Sequence, residues 1–261
     1  MAKLTLFRVL KIKHFVIFIT FTFLISCGNR TPKLSEVVSE QIEINTSYPA
    51  VDSIEQFILP YQDRINNILD STLAYAPYRI SKEDGPYNTT AGNLMADILL
   101  SEAGPVFKKR TGKNIDFVLM NHGGIRSVIS KGHVSARTAY EVMPFENSIT
   151  VVSFSGASVR KLVNYVIWSK KAHPIAGIQI VLRSDGSLDH INIQGKPLDM
   201  NRYYNVATSD YLVSGGDDMV FFKDARKIFA LDYKVRNAMI DHFKKVDTLL
   251  PKIDNRYYRL N

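Results

Sequence analysis

A single cysteine, Cys27, stands in 261 residues, so no disulfide can form within the chain and its stability must come from a hydrophobic core. Histidine is also sparse: the six, at 14, 122, 133, 173, 190 and 242, include no two at the spacing of a metal-ligand pair. Ser155-Gly156 follows an apolar run, but the glycine that a serine hydrolase places two residues before its nucleophile is missing. There is no internal repeat and no low-complexity tract. What the chain does have is 46% hydrophobic and 22% charged residues, the balance of one folded domain with tails rather than of a disordered polymer.

Lys3, Arg8, Lys11 and Lys13 precede FVIFITFTFLIS, an apolar run too short to span a bilayer comfortably. The run closes on Leu24-Ile25-Ser26-Cys27, which has the order of a bacterial lipobox. On that reading residues 1–26 are a lipoprotein signal peptide, and Cys27 is lipidated and becomes the first residue of the mature chain. The protein is then anchored through lipid to a membrane of the bacterial cell envelope. An uncleaved membrane anchor and a core cysteine are the alternatives. Loss of the leader removes four of the 33 basic residues and leaves 29 against 25 acidic ones, so the net charge drops from +8 to about +4. That takes away the main support for a nucleic-acid partner. Residues 27–50 are polar, contain Thr31-Pro32 and Pro49, and read as a flexible tether; the folded domain is expected over 51–261.

Within the domain, Ile54, Phe57, Ile58, Tyr61, Ile65, Ile68 and Leu69 recur at helical spacing, with Pro60 a kink or break. A second helix is expected from the capping hydroxyls of Thr89-Thr90, with Leu94, Met95, Ile98 and Leu99 on its core face. IDFVLM (115–120) reads as a strand, ARTAYEVMPF as a short helix ended by Pro144, SITVVSF as a strand and SVRKLVNYVIWS as a helix. IQIVLR and INIQ flank an Asp185-Gly186 turn, YYNVATS is another strand, and a last helix falls near Lys234 to Lys245. Irregular alternation with hairpins predicts an α+β fold with a mixed β-sheet packed with helices.

Four blocks carry a resemblance: TAGNLMAD (90–97), NHGGIRS (121–127), ARTAYEVMPFEN (136–147) with SFSGASVRKLV after it, and YNVATSDYLVSGGDD (204–218). In this order the chain resembles the C-terminal, substrate-binding domain of the 5'-nucleotidase and UDP-sugar hydrolase family. The resemblance implies a nucleoside or nucleotide ligand. It implies that Phe145 and Tyr211 clamp a base between their faces, the second position being more usually phenylalanine. Asp217 is implied to bind the ribose hydroxyls, and Asn121 and Arg126 to face the base and phosphate side. Each role suits the chemistry: aromatic faces stack on bases, a carboxylate accepts from two hydroxyls, and an arginine fork fits phosphate. On this reading the face of Tyr211, not its hydroxyl, makes the contact. One departure stands out: EDGPYNTT (83–90) occupies the stretch where many members carry another phosphate-binding arginine.

Complete members of that family hydrolyse the phosphate ester with two metal ions held by a separate metallophosphoesterase domain. The ligand motifs of such a domain, Asp-x-His, Asn-His-Glu and Gly-His-x-His, are missing from this sequence. Asn121-His122 mimics the start of Asn-His-Glu, but glycine follows, and His122 reads as a loop residue. No cofactor and no catalytic residue are therefore expected in this chain. Divalent metals are expected in a separately encoded metallophosphoesterase subunit. A stand-alone nucleoside-binding lipoprotein and a degenerate structural module are the competing readings.

Overall fold

The computed structural model describes residues 13–20, 34, 36–45 and 47–261. They fall into two compact units, 1–52 and 53–261. In the first, residues 13–20 are helical. Cys27 and the lipobox lie outside the described residues. Among the described residues no helix is long and apolar enough to cross a membrane.

The second unit opens on α1 (Asp52–Leu69), the helix that the apolar spacing predicts, and Pro60 does not end it. None of its residues is buried. Ile54, Ile58, Tyr61, Ile65 and Ile68 form a seam on one face of α1, and all five are exposed. Its end is tied to the body by Arg137, which donates to Asn66 Oδ1 at 2.7 Å and pairs with Asp70. Beyond β1 (Thr72–Ala76), α2 (Thr90–Thr111) begins as expected: the Thr89 hydroxyl accepts from the Gly92 N–H at 3.1 Å. Leu94, Met95, Ile98 and Leu99 are all buried, and Gly112, with φ 71°, closes the helix in the left-handed region.

The chain continues through β2 (Phe117–Leu119), β3 (Gly132–Ser135), α3 (Ala136–Val142), β4 (Ser148–Ser155) and α4 (Gly156–Ser169). Next come β5 (Ile175–Ala176), β6 (Ile178–Leu182), β7 (Leu188–Ile193), β8 (Lys196–Pro197), β9 (Tyr203–Ser209) and α5 (Asp210–Val213). The last elements are β10 (Lys227–Lys234), α6 (Val235–Phe243) and β11 (Tyr257–Arg259).

The architecture is α+β with mixed sheets. A five-stranded sheet runs β10-β4-β9-β2-β5, a four-stranded one runs β11-β6-β7-β8, and β1 pairs with β3. In the larger sheet β2 and β9 are parallel and the other neighbours antiparallel. That sheet is covered on both faces, which the side-chain alternation makes visible. Ile149 and Val151 of β4, Val118 of β2 and Ala207 of β9 join one core cluster with α2 and α6 residues. Val152 and Phe154, Phe117 and Leu119, and Tyr204 and Val206 join a second cluster with α4 and the smaller sheet. The hairpin expected at Asp185-Gly186 joins β6 to β7, with Gly186 at φ 84°.

Candidate functional site

Strand direction gathers the sequence blocks at one end of the inner strands of the larger sheet. β2 and β9 run parallel, so the segments that follow them, Asn121 after β2 and Tyr211 after β9, leave side by side. β4 is antiparallel to β9, with Ile149 opposite Ser209, so the residues just before β4, Phe145 and Asn147, arrive at that end too. Asn121, Arg126, Phe145, Tyr211 and Asp217 all line one cavity of about 240 Å3. Asn147, Gly123 and Gly124 complete its wall.

Phe145 and Tyr211 are 41% and 42% exposed, whereas Phe107, Phe117 and Phe154 of the core are fully buried. Neither ring at the cavity is a core plug. Arg126 donates from Nη1 to the Gly123 carbonyl at 3.3 Å and lies 5.9 Å from the centre of the Phe145 ring. Among the described residues it forms no ion pair, which leaves most of its fork free for a ligand.

Asp217 is held from three sides. Asn121 Nδ2 donates to its Oδ2 at 2.8 Å, the Tyr211 hydroxyl to its Oδ1 at 3.0 Å, and the Tyr165 hydroxyl to its main-chain oxygen at 2.5 Å. Each carboxylate oxygen still has a lone pair to offer. The bond to Asp217 raises the Tyr211 phenol above its ordinary pKa, keeping it a donor. The hydroxyl of Tyr211 is thus bonded within the wall of the site. Glycine is required beside it, since a Cβ on Gly216 would stand 2.4 Å from the Tyr211 ring. Asn121 is buried and its Oδ1 has no partner, while a Cβ on Gly124 would approach that oxygen to 2.8 Å.

His122 does not line the cavity. Its Nε2 lies 3.3 Å from the Lys82 carbonyl, and burial lowers its pKa, as does the Lys82 charge. Among the described residues no three His, Cys, Asp or Glu side chains are grouped to hold a metal ion, and a cavity with the single carboxylate Asp217 does not fit a metal pair. A wider groove of about 670 Å3, bordered by Lys108, Asp116, Lys196 and Arg202, contains none of the residues singled out in the sequence. Its Arg202 is already paired with Asp116 at 2.7 Å.

Three contributors went unseen in the sequence. Asn147 sits two residues past Phe145 inside a block already recognised, so its signal was present. Tyr165 lies in an apolar helical pattern, where nothing in the sequence sets it apart. His173 is buried in a loop; its Nδ1 accepts from the His122 N–H at 3.2 Å, and its Nε2 lies 3.1 Å from Ser169 Oγ. Burial, and then the neighbouring His122, push its imidazole down to about 4. The folded protein thus holds His173 neutral while the unfolded chain takes up a proton near pH 6.5. Its contribution is complete above pH 6.5 and is lost as pH falls towards 4, about 3 kcal/mol in all. Urea unfolding at pH 7 and pH 4.5 should show this loss, and His173→Gln should remove this part of the pH dependence. Equal stability of the wild-type protein at the two values would rule it out.

The family described as 5'-nucleotidase, C-terminal domain, matches residues 74–224. Cell wall protein Lmo0130 of Listeria monocytogenes is 26% identical over 189 residues, covering 66% of this chain and 24% of its own length. A 5'-nucleotidase of Vibrio vulnificus is 25% identical over 186 residues, covering 69% of this chain and 32% of its own. The crystal structure of a 5'-nucleotidase precursor from Thermus thermophilus superposes with a TM-score of 0.67 at 21% identity, over 80% of this chain and 43% of the other. The chain thus spans less than half the length of each of these relatives.

Proposed function

The chain belongs to the 5'-nucleotidase C-terminal domain family, and from that premise we propose that it is the nucleotide-binding half of a split 5'-nucleotidase. A metallophosphoesterase on a separate chain supplies the metals and cleaves the phosphate ester. The observation that carries this reading is one cavity lined by two half-exposed aromatic rings, a carboxylate and an arginine. Phe145 and Tyr211 stack on the base, Asp217 accepts from the ribose hydroxyls, and Asn121 and Asn147 meet polar edges of the ligand. Arg126 faces the phosphate. At about 240 Å3 the cavity is smaller than most sites that enclose a whole ligand, which suits a nucleotide whose phosphate end stays accessible to a second chain.

One further observation supports a partner for this domain, which matches the family over residues 74–224. The uncovered apolar seam of α1 lies just before that region, and an 18-residue helix with no buried face is not held by propensity alone. Calorimetry with adenosine, uridine and their monophosphates tests the reading. Binding by none of them, with the phosphoesterase present, would leave the degenerate-module alternative.

One observation favours a nucleoside-binding protein without catalysis. In the stretch where many members carry an arginine, Asp84 Oδ1 accepts from the Thr90 N–H at 3.0 Å, so this segment serves the start of α2. A monophosphate bound no more tightly than its nucleoside would support that alternative.

The lipid anchor and envelope location rest on the Leu24–Cys27 pattern, and a relative described as a cell wall protein supports the location. Cys27→Ser should release the protein from the membrane fraction or block its processing. A serine variant processed and fractionated like wild type would end the lipoprotein reading.

A further inference from the structure

Two consecutive residues other than glycine, Asp217 and Asp218, occupy the left-handed region, at φ 52° and 57°. A side chain with a Cβ disfavours that conformation, and it persists where the surroundings over-determine it. At Asp217 the surroundings are three donors. Asn121 and Tyr211 hold the carboxylate and line the cavity; Tyr165 holds the main-chain carbonyl, and it does not line the cavity. We propose that Tyr165 is a positioning residue for the sugar-binding carboxylate: by bonding the Asp217 carbonyl it fixes the turn that sets the carboxylate in the cavity wall.

Tyr165 is itself rigidly placed. It projects from α4, with its ring 5.5 Å from Phe221 and 5.7 Å from His173, centre to centre. Burial, and then the charge of Asp217, raise its phenol above the ordinary value, so the hydroxyl stays protonated and donates. His173 in turn supports the loop that starts at Asn121, through the His122 N–H. One ring therefore braces the two segments from which Asn121 and Asp217 reach each other. Losing the hydroxyl leaves the Asp217 carbonyl without its donor, and the left-handed turn can relax.

The inference rests on Asp217 as the acceptor for ribose hydroxyls, and the test separates the two. Tyr165→Phe removes one oxygen and keeps the ring. Calorimetry of the full chain uses adenosine and uridine, each against its 2',3'-dideoxy analogue. Wild type should prefer the ribonucleosides, and Asp217→Asn should lose that preference. Tyr165→Phe should reduce it by about tenfold with little change for the dideoxy compounds. Phe221→Leu loosens the same rings but keeps the hydroxyl, so it should lower Tm and leave the preference intact. If Tyr165→Phe keeps the preference that Asp217→Asn loses, Tyr165 does not position the carboxylate, although the sugar reading stands. A preference erased equally by Phe221→Leu would make the effect one of packing and overturn the proposal. A wild-type protein that shows no preference, or binds none of the four compounds, overturns the sugar reading and the proposal together.

Discussion

Phe145→Ala and Tyr211→Ala should each weaken nucleoside binding by about tenfold or more, and the double variant should lose most of it. The expectation follows from where the rings stand: both are half-exposed at one cavity, so neither is consumed by the core and both faces remain available. A base stacked on an aromatic side chain gains ~1–3 kcal/mol per contact, and each 1.4 kcal/mol is about a factor of ten in affinity. Truncation should leave the fold intact, because the core clusters are built from other side chains. Tyr211→Phe is the more discriminating variant. It keeps the stacking face and removes the donor to Asp217 Oδ1, so ribonucleosides should weaken while 2',3'-dideoxynucleosides bind nearly as before. Calorimetry across the series reads both effects. Unchanged affinity in both alanine variants would mean that the rings do not hold the base.

The elements that sequence reading located best are those whose signal is local. The Thr89 cap, the apolar stripe of α2, and the β4 and β9 runs each declare themselves within a dozen residues. Strands β1, β3 and β11 are short and went unread. β10 is long, but its register with β4 shifts after Ala230, and Asp232 stands at φ 49°, so no clean alternation survives. For α1 the spacing gave the helix but said nothing of what covers its seam, because burial is not a local property. The five proposed binding residues were recognisable only as members of ordered blocks; their convergence depends on strand direction, which no single block encodes. Tyr165 and His173 act through contacts across about 50 residues of chain, so their apolar or loop settings concealed them.

Purified alone, the chain should show no divalent-metal-dependent hydrolysis of nucleoside monophosphates, and turnover should appear when a metallophosphoesterase encoded beside it is added. Hydrolysis by paired metals needs several oxygen or nitrogen ligands around two ions a few ångströms apart. The cavity wall provides Asp217, whose carboxylate already accepts from Asn121 and Tyr211, and no histidine. Without a metal-activated water the ester is left to the uncatalysed rate, which enzymes exceed by roughly a millionfold or more, so the contrast should be close to all or none. Phosphate release from adenosine monophosphate is compared for the chain, the phosphoesterase and their mixture. Placing aspartate at both Ile58 and Ile65 should abolish the gain on mixing but leave nucleoside affinity unchanged, since both side chains are exposed on α1 and outside the cavity. A phosphoesterase equally active without this chain would show that the two do not form one enzyme. Metal-dependent turnover by the isolated chain, lost in His122→Ala, would instead place a catalytic centre at the Asn121-His122 turn and overturn the division of labour proposed for the two chains.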